Sequence, residues 1–149
     1  MTSRPWLVRL AAVTAALCVV ACGSGGAVGR DEVARVASPD GALDAVLMES
    51  SGGATTSFGY DVEVVPHAGK ADAAPAATLY GATRNGQAYG ANLRWVGARE
   101  LSVEYLQARW TRQQESTATV GTEKVTVVLH PGVTDNAAPP GGMAYNRRR

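Results

Sequence analysis

The sequence predicts an all-β protein: a single small antiparallel β-sandwich or open barrel of six to eight short strands, placed after a cleaved signal peptide. Three observations predict it. Short runs carry apolar residues at every second position, the period of a half-buried strand. Turn signals punctuate those runs at Ser38-Pro39-Asp40-Gly41, Asn85-Gly86 and Gly121-Thr122. The 149 residues include 26 alanines and 17 glycines but no isoleucine, so small side chains inflate the 46% hydrophobic fraction and the core is thin.

The N-terminal region reads as an address. Arg4 and Arg9 precede an uncharged stretch, Leu10–Val20. As a helix this stretch measures about 16 Å, half the hydrocarbon thickness of a bilayer. That is too short for a stable span and suits the apolar region of a signal peptide. Val19-Val20-Ala21-Cys22 then resembles the lipobox of bacterial lipoproteins, in which small residues precede a cysteine. The resemblance implies that residues 1–21 are removed, that Cys22 receives a diacylglycerol on its thiol and becomes the new N-terminus, and that Cys18 is discarded. It therefore implies a mature domain with no free thiol and no disulfide, so cysteine catalysis, CxxC redox chemistry and thiolate metal sites drop out together. Gly23 stands where an aspartate would resemble the inner-membrane retention signal. The expected location is the cell envelope, lipid-anchored, and the outer membrane if the source is Gram-negative.

Residues 22–30 are expected to form a lipidated, glycine-rich tether, 31–134 the β domain, and 135–149 a flexible basic tail ending in Arg147-Arg148-Arg149. Within the domain, Glu32–Ala37 and Leu43–Glu49 form a hairpin about the Ser38–Gly41 turn. Phe58–Val65 places Phe58, Tyr60, Val62 and Val64 on one face and Gly59, Asp61 and Glu63 on the other, and Pro66 ends it. Residues 68–76 form a small-residue loop and Thr78–Thr83 a strand. After the Asn85-Gly86 turn, Tyr89–Val96 and Glu100–Leu106 form a second hairpin pair. Val125–Leu129, apolar on both faces, takes a central position. Residues 107–117 are open between helix and strand, with an extended arm preferred. The expected core is Val33, Leu43, Leu47, Phe58, Tyr60, Val62, Leu79, Leu93, Trp95, Leu101, Val103, Val125, Val127 and Leu129.

Charge and motifs narrow the function by exclusion. Fourteen Lys+Arg against 13 Asp+Glu is no nucleic-acid binder's balance. Without residues 1–21 there are 12 basic against 13 acidic residues, and without the terminal arginines 9 against 13. His67 and His130 lie 63 residues apart, in no metal-binding spacing, and read as solvated loop histidines. No cofactor and no metal site is expected. GxSxG, P-loop and GxGxxG patterns are missing. Asp61 and Glu63 lie close enough on one strand for glycosidase-like chemistry, but the polar face of an amphipathic strand explains them equally well.

Two surfaces are candidates for binding. Ser50–Ser57 is longer than a tight hairpin needs and offers hydroxyls and unhindered backbone N–H groups, with Thr55, Thr56 and Ser57 the residues selected. Tyr80, Tyr89, Trp95, Tyr105 and Trp110 alternate with arginines, and Arg94, Trp95 and Trp110 are selected from them because Arg, Tyr and Trp dominate binding hot spots. The whole pattern of lipobox, short tether and one β domain resembles many small bacterial lipoproteins. The expected function is a membrane-anchored, non-enzymatic binding or interaction module of the cell envelope, held through the lipid on Cys22 and facing an envelope protein or glycan. Alternatives are an envelope glycan hydrolase using Asp61, Glu63 or a histidine, and an inhibitor or accessory subunit of an envelope complex.

Overall fold

A computed structural model of the chain describes residues 29–68, 72–113 and 115–149. The lipobox, Cys22 and most of the tether lie outside the described residues. Among the described residues the fold is a two-sheet β-sandwich of nine strands, with one short helix, α1 (Met143–Arg147). One sheet has the order β1-β2-β3-β4-β7, formed by Gly29–Ala37, Leu43–Ser51, Phe58–Pro66, Ala74–Tyr80 and Trp110–Arg112. The other has the order β5-β6-β9-β8, formed by Asn92–Gly97, Glu100–Tyr105, Glu123–Pro131 and Thr117–Val120.

The first hairpin shows how local chemistry sets register. In the turn after β1, Ser38 Oγ donates to Asp40 Oδ1 at 2.7 Å, while the backbone N–H of Leu43 donates to Ser38 Oγ at 3.1 Å. Gly41 completes the turn at φ +69°, where a Cβ is strained. Because this turn fixes Ala37 opposite Asp44, Ala45, Leu47 and Glu49 point inward from β2. In β3 the alternation is as expected: Tyr60, Val62 and Val64 are fully buried, and Asp61 and Glu63 face outward. The opposing sheet supplies Leu93, Leu101, Val103, Tyr105, Val125 and Val127. Trp95, Phe58 and Leu129 pack against this core only partly buried. The Trp95 Nε1–H donates to Val36 O at 2.8 Å, which ties β5 to β1 along one open side of the sandwich.

Several sequence expectations need correction. There are nine strands rather than six to eight, because the long 107–117 segment splits. Trp110–Arg112 joins β4 in the first sheet, and Thr117–Val120 joins β9 in the second. The sheets are not purely antiparallel: β6 and β9 run parallel, since the chain crosses to the other sheet and back between them. β4 begins at Ala74, inside the expected loop, because the small residues Ala74, Ala76 and Ala77 are themselves buried. β5 begins only at Asn92, as Tyr89 makes just a single bridge, to Thr83, around the Asn85-Gly86 turn.

The largest departure is the C-terminal segment, expected as a flexible basic tail. Residues 135–149 fold back on the sandwich instead. Asn85 Oδ1 caps its own turn by accepting from the N–H groups of Gln87 and Ala88. Its Nδ2 donates to Asp135 O and Ala138 O at 2.9 and 3.0 Å. Gly141 then pairs with Ala88, and Gly142 lies against the Phe58 ring. Glu49, only 3% exposed, accepts from Tyr60 Oη at 2.7 Å and from the N–H groups of Met143 and Ala144 at 2.7 and 3.2 Å. A buried carboxylate is costly unless its oxygens are satisfied. Here the first turn of α1 supplies two of the three donors, so the segment and the carboxylate hold each other. Burial, followed by the Glu49 carboxylate, pushes the Tyr60 phenol well above the ordinary tyrosine range.

Candidate functional site

The strand directions give the sandwich two unlike ends. Connections 38–42, 98–99 and 121–122, with the described residues 67–68 and 72–73, lie at one end. The other end, where β1 begins, gathers 52–57, 81–91, 106–109 and everything after β9. We call these the turn end and the loop-rich end.

At the loop-rich end a cavity of about 280 Å³ is lined by Ser57, Gly81, Thr83, Tyr89, Gln107, Ala108 and Arg109. Gly81 sits at φ +64°, and a Cβ there would press on the Arg109 chain and Ser57 Oγ. The glycine thus lets the β2–β3 loop approach the β6–β7 link. The backbone N–H of Ser57 donates to Tyr80 Oη at 3.0 Å, which fixes the loop's last residue against β4. Thr83 Oγ1 is buried with no hydrogen-bond partner among the described residues. Buried hydroxyls are normally satisfied, which makes this one the exception among the described side chains.

Outside the cavity, the register places Trp110 opposite Tyr80, Tyr80 opposite Gly59, Gly59 opposite Ser50 and Ser50 opposite Arg30. This row crosses the outer face of the sheet. Tyr80 and Trp110 stack with centroids 5.5 Å apart at 18°, and the Arg112 guanidinium lies 5.9 Å from the Trp110 ring. Trp110 is 46% exposed. Tyr89 packs on Phe58 with centroids 5.0 Å apart and is also partly exposed.

The sequence-selected residues divide accordingly. Thr55, Thr56, Ser57 and Trp110 all come to the loop-rich end, Thr55 and Thr56 on an exposed loop and Ser57 at the cavity. Arg94 and Trp95 do not join them. They occupy opposite faces of β5: Arg94 points outward, where its Nε donates to Glu104 at 2.8 Å, and Trp95 packs inward. Sequence reasoning missed Gln107 and Arg109 as cavity residues and missed the contribution of Thr83. The one signal the sequence carried was Gly81 directly after Tyr80, a glycine at a strand end.

The proposed acid–base residues are engaged elsewhere. Arg30 binds Glu63 at 2.6 Å and Asp61 at 3.5 Å on the open sheet face, away from the cavity. His67 is no freely solvated loop histidine, because its Nδ1 lies 2.8 Å from Asp44 Oδ1 at the turn end. Arg35 reaches the other Asp44 oxygen at 2.9 Å and also binds Glu32. Burial works against ionising Asp44, but His67 and Arg35 more than offset it and hold the carboxyl below its usual range. Asp40 is lowered to about 2 by the Ser38 hydroxyl, then by Arg99 and the Ala42 N–H. Among the described residues, no three His, Cys, Asp or Glu side chains gather to hold a metal ion. In comparisons with protein-family models, with curated proteins and with solved structures, nothing matches the chain.

Proposed function

We propose that the chain is a lipid-anchored module of the bacterial cell envelope that binds through its loop-rich end and performs no chemistry of its own. The observation that carries this reading is the segregation of groups between the two ends. The loop-rich end combines a polar cavity, an unsatisfied buried hydroxyl, an exposed Tyr80–Trp110 stack and Arg109, which makes no ion pair among the described residues. The carboxylates suited to acid–base catalysis are paired with arginines, and the histidine hydrogen-bonds Asp44, all outside that cavity. Arginine beside aromatic faces is the composition of binding hot spots. The anchor rests on the lipobox resemblance at Val19–Cys22.

Two measurements test the two halves of the proposal. Metabolic labelling with a clickable fatty acid is expected to mark the protein and to lose the mark in Cys22→Ser; label that persists in that variant refutes the anchor. A photo-crosslinking residue at Trp110, compared in cells with one at Val96 near the turn end, is expected to trap an envelope component at Trp110 alone. Equal trapping at both positions, or none at Trp110, refutes the assignment of the binding end.

A further inference from the structure

The residues that bear exposed apolar surface are not spread over the sandwich. Of the five exposed large hydrophobics, Tyr89, Trp110, Val133 and Tyr145 lie at the loop-rich end, and only Val96 lies near the other. The arginines without an ion pair among the described residues follow the same bias. Arg109 borders the cavity, Arg112 lies beside Trp110, and the Arg149 guanidinium sits 4.8 Å from the Tyr145 ring. At the turn end the acidic groups Asp40, Asp44 and Glu123 are joined by Asp72 and Glu100, against Arg35 and Arg99, which are already paired, and Lys124. Exposed aromatic rings and unpaired guanidinium groups therefore concentrate at the loop-rich end, where Asp31, Glu49 and Asp135 each have a partner, while carboxylates outnumber cations at the turn end.

The same end is where the chain leaves toward its N-terminus. Gly29, the first residue of β1, pairs with Ser51, and Arg30 shares a cross-strand row with Trp110. Four strand spacings separate the two ends of that row, about 19 Å. From Gly29 back to Cys22 there are seven residue steps, which reach no more than about 25 Å when fully extended. If Cys22 is in the bilayer, Gly29 stays within that distance of it, and Trp110, further along the row, within about 44 Å.

We propose that the loop-rich end docks on the bilayer surface itself, and that its partner is the layer of anionic phospholipid headgroups. This rests on the lipid-anchor reading for how the domain is brought to the membrane, and adds how the domain stands once there. Trp and Tyr are the side chains that settle at a membrane interface, with their rings at headgroup level and their polar atoms in water. Arginines beside them meet phosphate oxygens with paired donors. The cavity beside Arg109, with Ser57, Thr83 and Gln107 as polar lining, holds room for one such headgroup. The carboxylate-rich turn end is held outward, because an anionic surface repels it. The tether is then a short strap that keeps one end down, and the tail that folds back through Asn85 and Glu49 is what brings Tyr145 and Arg149 into this surface.

The test uses the full chain bound to vesicles of phosphatidylcholine alone or mixed with phosphatidylglycerol, and reads only protein that floats with the vesicles. The emission of Trp110 is taken as the difference between the protein and its Trp110→Phe variant, and brominated acyl chains serve as the quencher. On vesicles containing phosphatidylglycerol, brominated lipid is expected to remove about half or more of the Trp110 emission, as an interfacial ring requires. High salt, which shortens the screening length to about 3 Å, is expected to abolish that quenching without releasing the chain. Replacing Arg109, Arg112 and Arg149 by Gln is expected to weaken the docked state about fivefold per arginine. A Trp110 that stays unquenched on floated protein, or is quenched equally with and without phosphatidylglycerol, overturns the proposal. Failure of the anchor reads out separately, as fatty-acid label that survives Cys22→Ser.

Discussion

The two ends of the sandwich solve the same problem, closing a β-sheet's open end, by different means. At the turn end Ser38, Asp40 and Gly41 complete their turn with local hydrogen bonds, Arg35 pairs with Asp44 on the adjacent strand, and Arg99 pairs with Asp40 across the two sheets. At the loop-rich end the bonds that close the sandwich are long-range. Asn85 holds residues 50 and 53 positions away, and Glu49 holds the N–H groups of residues 94 and 95 positions away. The difference teaches where this protein has room for function. Long-range closure leaves a cavity, an unsatisfied hydroxyl and exposed rings at the loop-rich end.

If closure at the loop-rich end depends on Glu49, breaking it is the most damaging single change outside the hydrophobic core. Glu49→Ala strands the Tyr60 hydroxyl and two backbone donors, and is expected to cost about 3 kcal/mol in urea unfolding. It is also expected to expose residues 143–149 to limited proteolysis, while Glu49→Gln, which keeps an acceptor, costs less. Asn85→Ala removes two hydrogen bonds within its own turn and two to the C-terminal segment, and is expected to cost about 2 kcal/mol with the same proteolytic signature.

At the turn end the expected effects are smaller and of another kind. Asp44 has its folded pKa depressed below its unfolded value. Its contribution is therefore fully present above the ordinary aspartate range, near 3.9, and is lost as pH falls through the lower folded value. Asp44→Asn is expected to cost about 1–2 kcal/mol at neutral pH and to flatten the acid limb of the stability curve, measured by unfolding across pH. Gly41→Ala forces a Cβ into positive φ and is expected to cost about 1 kcal/mol, with no proteolytic signature at the C-terminus. The smallest effect is expected at the binding loop: lengthening it after Ala54 by a few glycine and serine residues costs only loop entropy, about 0.5 kcal/mol.

The turn end was also the part most legible in the sequence. Ser38-Pro39-Asp40-Gly41 names its own turn, and the alternation from Phe58 to Val65 names its own buried face, because both rest on contacts between near neighbours. The all-β class and the buried identities of Leu47, Tyr60, Leu101 and Val127 followed from the same periodicity. The loop-rich end was not legible for the converse reason. Three terminal arginines read as solvated tail, since nothing near them in sequence marks Glu49 as the cap of their helix or Asn85 as the clasp. Trp110 was selected from composition, yet its pairing with Tyr80, 30 residues earlier on the neighbouring strand of the same sheet, has no local signature. Trp95, selected by the same reasoning, is spent on closing the sandwich side.

The central claim is that the two ends face different surroundings, one the envelope surface and the other water. Hydroxyl-radical footprinting of the full chain, on anionic vesicles and then in detergent, measures this side chain by side chain in one experiment. The claim predicts that Tyr89, Trp110 and Tyr145 lose reactivity on the vesicles while His67 and Val96 keep theirs. Equal reactivity of both groups on vesicles and in detergent, or protection centred on His67, would contradict it.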